Sequence, residues 1–327
     1  MIRHACWLLV LLCPGLLAAA EHPGAETFIE RAAAEYELDA EEVRALLAGA
    51  EFKQSIADAI ARPAEAKPWY EYRPIFLTEQ RIEEGVEFWR EHRDLIEQVA
   101  EQYGVDPQVI VAIIGVETFY GRITGSFRVV DALATLSFHY PSDRTRDRSE
   151  FFSSELMEFL LLGREERLPL DEVTGSYAGA MGMGQFIPSS YRAYAVDFDG
   201  DGKRDLWRST EDAVASVANY LKVHGWEAGG PVVRPMEVGD GADLELLEKR
   251  SYKPETTVLE LHRQGVRGPA DLDPDRLAAL VQLDGEDGPL RWLSFQNFYV
   301  ITRYNRSPLY AMAVYQLSEE LMRGMDS

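Results

Sequence analysis

Few folds can accommodate the stretch from Asp106 to Glu117. Asp106-Pro107 is a helix start, an N-cap followed by proline at the first helical position. Gln108 to Glu117 is then almost wholly apolar. A helix without a polar stripe has to be covered on most sides. The chain must therefore supply further helices to surround it. With 327 residues and 46% hydrophobic content it has the material, as one large domain or a few small ones.

Those further helices are legible. Glu26 to Ala61 reads as two amphipathic helices broken near Leu38-Asp39. Arg62 to Pro74 reads as a loop carrying Trp69, Tyr70 and Tyr72. Thr78 caps a long helix to about Tyr103, with Ile82, Val86, Trp89, Leu95, Ile96 and Val99 inside, and Gly104 ends it. Gly121 lies just past the apolar helix. Ser149 to Gly163 and Thr210 to Gly225 are further helices, and Ser307-Pro308 opens a last one that runs to Gly324. Between Gly229 and Arg303 glycines and prolines become more frequent. There Leu280 to Leu283 and Leu290 to Phe298 form an expected hairpin. The fold class is mainly α (α+β), a helical core with a small antiparallel β-containing insertion. The expected organisation is 1–20 a signal peptide, 21–104 an N-terminal helical region, 105–228 the helical core, 229–300 the β-containing subdomain, and 301–327 a C-terminal segment and helix.

The first twenty residues carry the marks of export. Arg3 and His4 precede an apolar run from Ala5 to Leu17, and Ala18-Ala19-Ala20 offers a peptidase site before Glu21. The run is short for a membrane span, although an anchor that stays attached is the alternative reading. A lipid-modified Cys13 is disfavoured, since Leu12 precedes it where processing needs a small residue. Both cysteines, Cys6 and Cys13, lie in this segment, so the mature chain offers no disulfide or thiolate site. A formal charge of −22 makes nucleic acid and anionic lipid poor partners.

Glu117 shares a helix face with Ile110, Ile113 and Ile114. A carboxylate there is costly unless paired, so its pKa is expected to rise. A carboxylic acid against an apolar wall suits protonation of a glycosidic oxygen. From the residues alone, a buried glutamate held by an ion pair or backbone amides remains the alternative. The glycines of Gly175 to Gly184 lack dinucleotide spacing and a phosphate lysine, and suit close approach of a polymer to backbone. Tyr36, Tyr103 and Tyr315 are read as core.

A second acidic feature is Asp197-Phe198-Asp199-Gly200-Asp201-Gly202-Lys203-Arg204-Asp205. Acids at positions one, three and five, a following glycine and a carbonyl at Lys203 match a calcium loop. Position twelve departs from the pattern, being Arg208 rather than glutamate. The plain alternative is a solvated acidic turn.

Five ordered blocks then point one way. Gly115-Val116-Glu117-Thr118-Phe119-Tyr120-Gly121 resembles the catalytic glutamate motif of lytic murein transglycosylases. The resemblance continues through Asp131 to Phe138, Gly175 to Tyr191, Ser216-Val217-Ala218-Asn219-Tyr220 and Thr302-Arg303-Tyr304-Asn305. Together they resemble the membrane-bound lytic murein transglycosylase B family, over roughly Trp69 to Leu317.

The resemblance implies a lysozyme-like core with one catalytic glutamate, Glu117. It implies a cleft lined by Tyr72, Ser176, Gln185, Tyr220, Tyr304, Asn305 and Tyr310. It also implies that the missing calcium ligand comes from the next helix turn, Asp212 or Glu211, in a calcium loop spanning 197–212 with Asp197, Asp199, Asp201 and Lys203. The calcium is structural, and no organic cofactor is implied. Where some members carry a tyrosine after the Tyr140-Pro141 loop, this chain has Phe151 behind a charged stretch, Ser142 to Ser149.

The implied partner is the glycan strand of peptidoglycan, in the periplasm, with cell-wall synthesis or divisome proteins left open. A hydrolytic muramidase and a non-catalytic calcium-dependent wall-binding protein are the rival readings. The muramidase usually needs a second carboxylate. Asp131 and Glu155 are candidates, although Asp131 reads better as a helix cap before Ala132. With one carboxylate, the 6-hydroxyl of N-acetylmuramic acid serves as nucleophile and leaves a 1,6-anhydro end.

Overall fold

The computed structural model describes residues 22–61, 67–141, 147–239, 242 and 252–327. The expected signal peptide and most of the charged stretch 142–149 lie outside them.

The apolar helix is α7, Pro107–Thr118, numbered after six helices that precede it: α1 Ala25–Tyr36, α2 Ala40–Ala48, α3 Gln54–Ile60, α4 Trp69–Phe76, α5 Glu79–Glu91 and α6 Arg93–Tyr103. Every residue of α7 from Val109 to Val116 is buried. Its cover comes from α5, α6, α11 (Thr210–Val223) and α14 (Pro308–Met325). The remaining helices among the described residues are α8 Val129–Phe138, α9 Ser149–Glu166, α10 Pro188–Tyr194, α12 Val258–Arg263 and α13 Gln296–Tyr304. Asp106 starts α7 as expected, but its side chain does not cap the helix. It accepts instead from Trp226 Nε1 at 2.8 Å and from the Gly229 amide, fastening the start of α7 to the segment after α11.

Gly121 lies just past the end of α7, as expected, but it is not the residue that turns the chain out of the helix. The chain enters the left-handed region two residues earlier, at Phe119 (φ 53°) and Tyr120 (φ 59°), before Gly121 (φ 84°). Packing outweighs the backbone preference here. The Tyr120 side chain occupies space left by Gly85 and Gly115, where an added Cβ would lie 2.1 Å from its hydroxyl and 2.7 Å from its ring. Its hydroxyl donates to the Arg81 carbonyl at 2.8 Å. The guanidinium groups of Arg81 and Arg122 lie 4.5 Å and 5.0 Å from the centre of the Phe119 ring.

The structure departs from other expectations as well. The N-terminal region holds three short helices where two were expected. The segment read as a loop contains α4, which buries Trp69 and Tyr72. The long helix after Thr78 breaks at His92, whose φ of −107° separates α5 from α6. Asp131 does not cap α8. It lies inside the helix, and its carboxylate accepts from the Glu51 amide at 2.8 Å and pairs with Arg128. Tyr36 is exposed, while Tyr103 and Tyr315 pack half-buried against the core.

Strands β1 (Phe127–Arg128) and β2 (Thr174–Gly175) pair antiparallel and bring the glycine-rich loop beside α8. The β-containing part has a four-stranded antiparallel sheet in the order β3-β8-β7-β5: β3 is Val233–Pro235, β5 Thr256–Thr257, β7 Leu277–Gly285 and β8 Gly288–Ser294. Strands β4 (Glu237–Val238) and β6 (Val266–Arg267) form a separate pair. The hairpin is β7–β8, but it ends at Ser294, and Phe298 lies in α13. Asn297 turns the chain: its side chain accepts from the Glu227 amide at 2.8 Å and donates to the carbonyls of Glu227 and Gly230. A short apolar run reads equally as strand or buried helix, so this boundary was not available from pattern.

Candidate active site

Glu117 stands half-buried in the last turn of α7, behind the fully buried Ile113 and Ile114. The chain returns to it at the start of α14. Ser307 caps that helix, its hydroxyl accepting from the Tyr310 amide at 3.3 Å. Pro308 stands in the first turn. This places Tyr310 so that its hydroxyl donates to Glu117 Oε1 at 2.6 Å, a charge-assisted distance. Tyr310 is 2% exposed. Burial first, and the Glu117 charge second, hold its hydroxyl well above the ordinary range, so it remains a donor.

Tyr304, near the end of α13, lies nearly parallel to Tyr310, with ring centres 6.5 Å apart. Its hydroxyl donates to the Gly184 carbonyl at 2.5 Å. Burial and then the Glu117 charge raise it too. Tyr220 stands behind Tyr304. It is buried, its hydroxyl donates to the Arg303 carbonyl at 2.5 Å, and its ring meets Tyr304 at 4.7 Å and stacks on His224 at 4.0 Å. Tyr72 is buried between Trp69 and Phe76, near enough to Tyr310 to perturb it. Both therefore support the aromatic wall more than they present a ring to solvent. Asn305 follows α13, half-buried, in extended backbone.

The glycine-rich loop carries Ser176 and Gln185. The Ser176 hydroxyl accepts from the amides of Ala178 and Ala180 at 3.3 Å and 3.1 Å, closing a local turn. Gln185 is left-handed (φ 50°), and its Nε2 donates to the carbonyls of Thr124 and Gly182 at 3.0 Å and 2.9 Å. Gly182 is required: its φ is +70°, and an added Cβ would lie 2.5 Å from the Leu206 carbonyl. The loop joins the tyrosine wall through Gly184. Phe151, the departure noted above, is an exposed ring beneath the Arg148 guanidinium at 4.6 Å.

Two other buried carboxylates are committed to the framework. Asp131 is paired as described. Glu155 accepts from the Ser189 amide at 2.9 Å and the Ser189 hydroxyl at 2.7 Å, holding the first turn of α10. Burial raises its pKa, against the pull of those bonds.

In the aspartate loop, carboxylate oxygens of Asp197, Asp199 and Asp212 lie within 4.8 Å of one another. Asp212 is 0% exposed, and its two oxygens accept from the Phe198 and Asp205 amides at 2.7 Å and 2.8 Å. Burial pushes its pKa up, those amides pull it down, and the Asp199 charge pushes it up again. Hard oxygen donors gathered around a buried carboxyl fit a calcium ion. Asp201 stands outside that trio, its Oδ1 accepting from the Lys203 amide at 2.8 Å. Glu211 lies near the loop through Ser209. Sequence reasoning missed Thr118, whose buried hydroxyl contacts the glycine-rich loop. Its adjacency to Glu117 was the available signal.

The family described as "Transglycosylase SLT domain" matches residues 20–319. The chain is 41% identical over 310 residues to membrane-bound lytic murein transglycosylase B of Escherichia coli K12, covering 92% of this chain and 83% of that protein. Soluble lytic transglycosylase SltB1 of Pseudomonas aeruginosa superposes with a TM-score of 0.85 at 47% identity, covering 93% of this chain and 100% of the other. The Escherichia coli lytic transglycosylase Slt35 in complex with calcium gives a TM-score of 0.82 at 39% identity, covering 94% and 95%.

Proposed function

The chain belongs to the transglycosylase SLT domain family and is a peptidoglycan lytic transglycosylase, and from that premise we propose that Glu117 is its sole catalytic acid and base. The observation that carries the assignment is the Tyr310–Glu117 hydrogen bond at the carbonyl end of an apolar helix. The commitment of Asp131 and Glu155 to Arg128, Glu51 and Ser189 speaks against the muramidase reading.

Glu117 donates its proton to the oxygen linking N-acetylmuramic acid to N-acetylglucosamine. The bond from that oxygen to the anomeric carbon breaks, and the N-acetylglucosamine side leaves as an alcohol. The N-acetyl oxygen of the substrate shares the positive charge, with Asn305 and Tyr304 orienting that group. The Glu117 anion, stabilised by Tyr310, then takes the proton of the 6-hydroxyl as O6 closes on the anomeric carbon. Proton count balances and no water is consumed. Ser176 and Gln185 hold the sugars from the glycine-rich loop, and the tyrosine wall limits competing water.

Asp197, Asp199 and Asp212, with Asp201 and the Lys203 carbonyl, are the proposed calcium holders. The ion would pin the loop to α11 and play no part in the proton transfers. The calcium complex of Slt35 supports this reading. The periplasm is the proposed compartment, reached by the signal peptide. Among the described residues no helix is long and apolar enough to cross a membrane.

Mass analysis of products from purified peptidoglycan tests the reaction. The expected muropeptides end in 1,6-anhydromuramic acid, are one water lighter than hydrolysis products and resist borohydride. Reducible ends that incorporate labelled oxygen from water would move the chain to the muramidase reading.

A further inference from the structure

Thr118 follows Glu117 directly and has no part in the proton transfers above. It is the last residue of α7 and 1% exposed. Its Oγ1 lies 2.9 Å from the Met183 carbonyl, 3.1 Å from the Ile114 carbonyl and 3.0 Å from the Gly121 amide. A threonine hydroxyl has one proton to give and two lone pairs to accept with. The Gly121 amide is a donor and takes a lone pair. The single proton goes to a carbonyl, and the shorter distance favours Met183. One oxygen thus joins the last turn of α7, the left-handed turn after it and the glycine-rich loop.

Met183 is held on its other side as well, its amide donating to the Leu206 carbonyl at 2.7 Å. One residue further, the Gly184 carbonyl receives the Tyr304 hydroxyl, and the next residue is the left-handed Gln185. The last turn of a helix is its least secured part, because its final carbonyls have no partner within the helix. Glu117 stands in that turn, and across from it stands the loop that carries Gln185.

We propose that Thr118 is a positioning residue: its hydroxyl sets the Glu117 end of α7 in register with the glycine-rich loop, so that the acid keeps a fixed spacing to the groups that hold the sugar. This rests on Glu117 being the acid and base.

The test compares Thr118→Val, which keeps the shape and loses the hydroxyl, with Thr118→Ser, which keeps the hydroxyl and loses the methyl. Turnover of soluble glycan strands is measured well below the melting temperature of each variant, with Glu117→Gln in parallel. A displacement of about 1 Å costs on the order of 10²-fold, so Thr118→Val should lose about 10–100-fold in kcat with KM little changed. Thr118→Ser should stay within a few-fold of the wild type. A Thr118→Val kcat equal to wild type overturns the proposal. Equal impairment of both variants, or a change confined to KM, also overturns it. If Thr118→Val does not fold, Thr118→Ala takes its place against Thr118→Ser under the same criteria. Near-wild-type turnover by Glu117→Gln would instead remove the acid assignment, whatever the Thr118 variants do.

Discussion

Glu117 and Asp212 are carboxylates on two neighbouring core helices, and they stand at opposite helix ends. Asp212 is in the first turn of α11, where the helix presents amides and the positive end of its dipole. It receives two backbone amides and a buried place beside Asp197 and Asp199. Glu117 is in the last turn of α7, at the carbonyl end, where the dipole offers a negative charge nothing. Tyr310 donates to it from a side-chain hydroxyl. A carboxylate that holds a loop needs its charge to be permanent. One that gives up a proton and takes it back needs both forms within reach. Helix polarity favours charge at Asp212 and not at Glu117, although burial, the largest influence on Asp212, still raises its pKa on balance.

The sharpest way to break this contrast is Glu117→Gln. The amide keeps size and hydrogen bonding but carries no transferable proton, so turnover should fall by about 10²–10⁴-fold or more with an unchanged melting temperature. Digestion of peptidoglycan at close to the wild-type rate would end the assignment. Tyr310→Phe comes next. A hydrogen bond to a charged group contributes about 1.5–3 kcal/mol, so kcat should fall by about 10–100-fold; a wild-type kcat would mean that the bond has no part in the reaction.

At the other site the readout is stability. Calcium at a hundredfold excess over its Kd should add about 2.7 kcal/mol and raise the melting temperature by several degrees, a response that Asp199→Ala removes. Turnover in the cold should change less than stability does. Melting curves indifferent to both calcium and chelator would retire the ion. The smallest effect on turnover belongs to Asp131→Asn and Glu155→Gln. Each should leave kcat within a few-fold while costing about 1 kcal/mol of stability. A large kcat loss in either would revive the two-carboxylate muramidase.

What the sequence disclosed follows a physical line. The apolar helix and the aspartate loop were legible because their signals lie within about a dozen consecutive residues: an N-cap, a proline and an apolar run in one, alternating acids and glycines in the other. Tyr304 and Tyr310 needed the family resemblance, since nothing in composition distinguishes them from Tyr36, which proved exposed, or from Tyr103. The turn at Phe119 and Tyr120 was hidden because much of its cause sits on α5, in the room left by Gly85 and the contacts made by Arg81. Asp131 looked like a cap because its true partner, the Glu51 amide, is eighty residues away. The break at His92 carries no local signal that pattern could have used.

In the glycine-rich loop main chain packs directly on main chain. An added Cβ at Gly175 would lie 2.2 Å from the Ala180 carbonyl, and at Gly182 2.5 Å from that of Leu206. A single substitution at either position would displace the backbone that carries Ser176 and Gln185, so variation in this loop is closed off at its glycines.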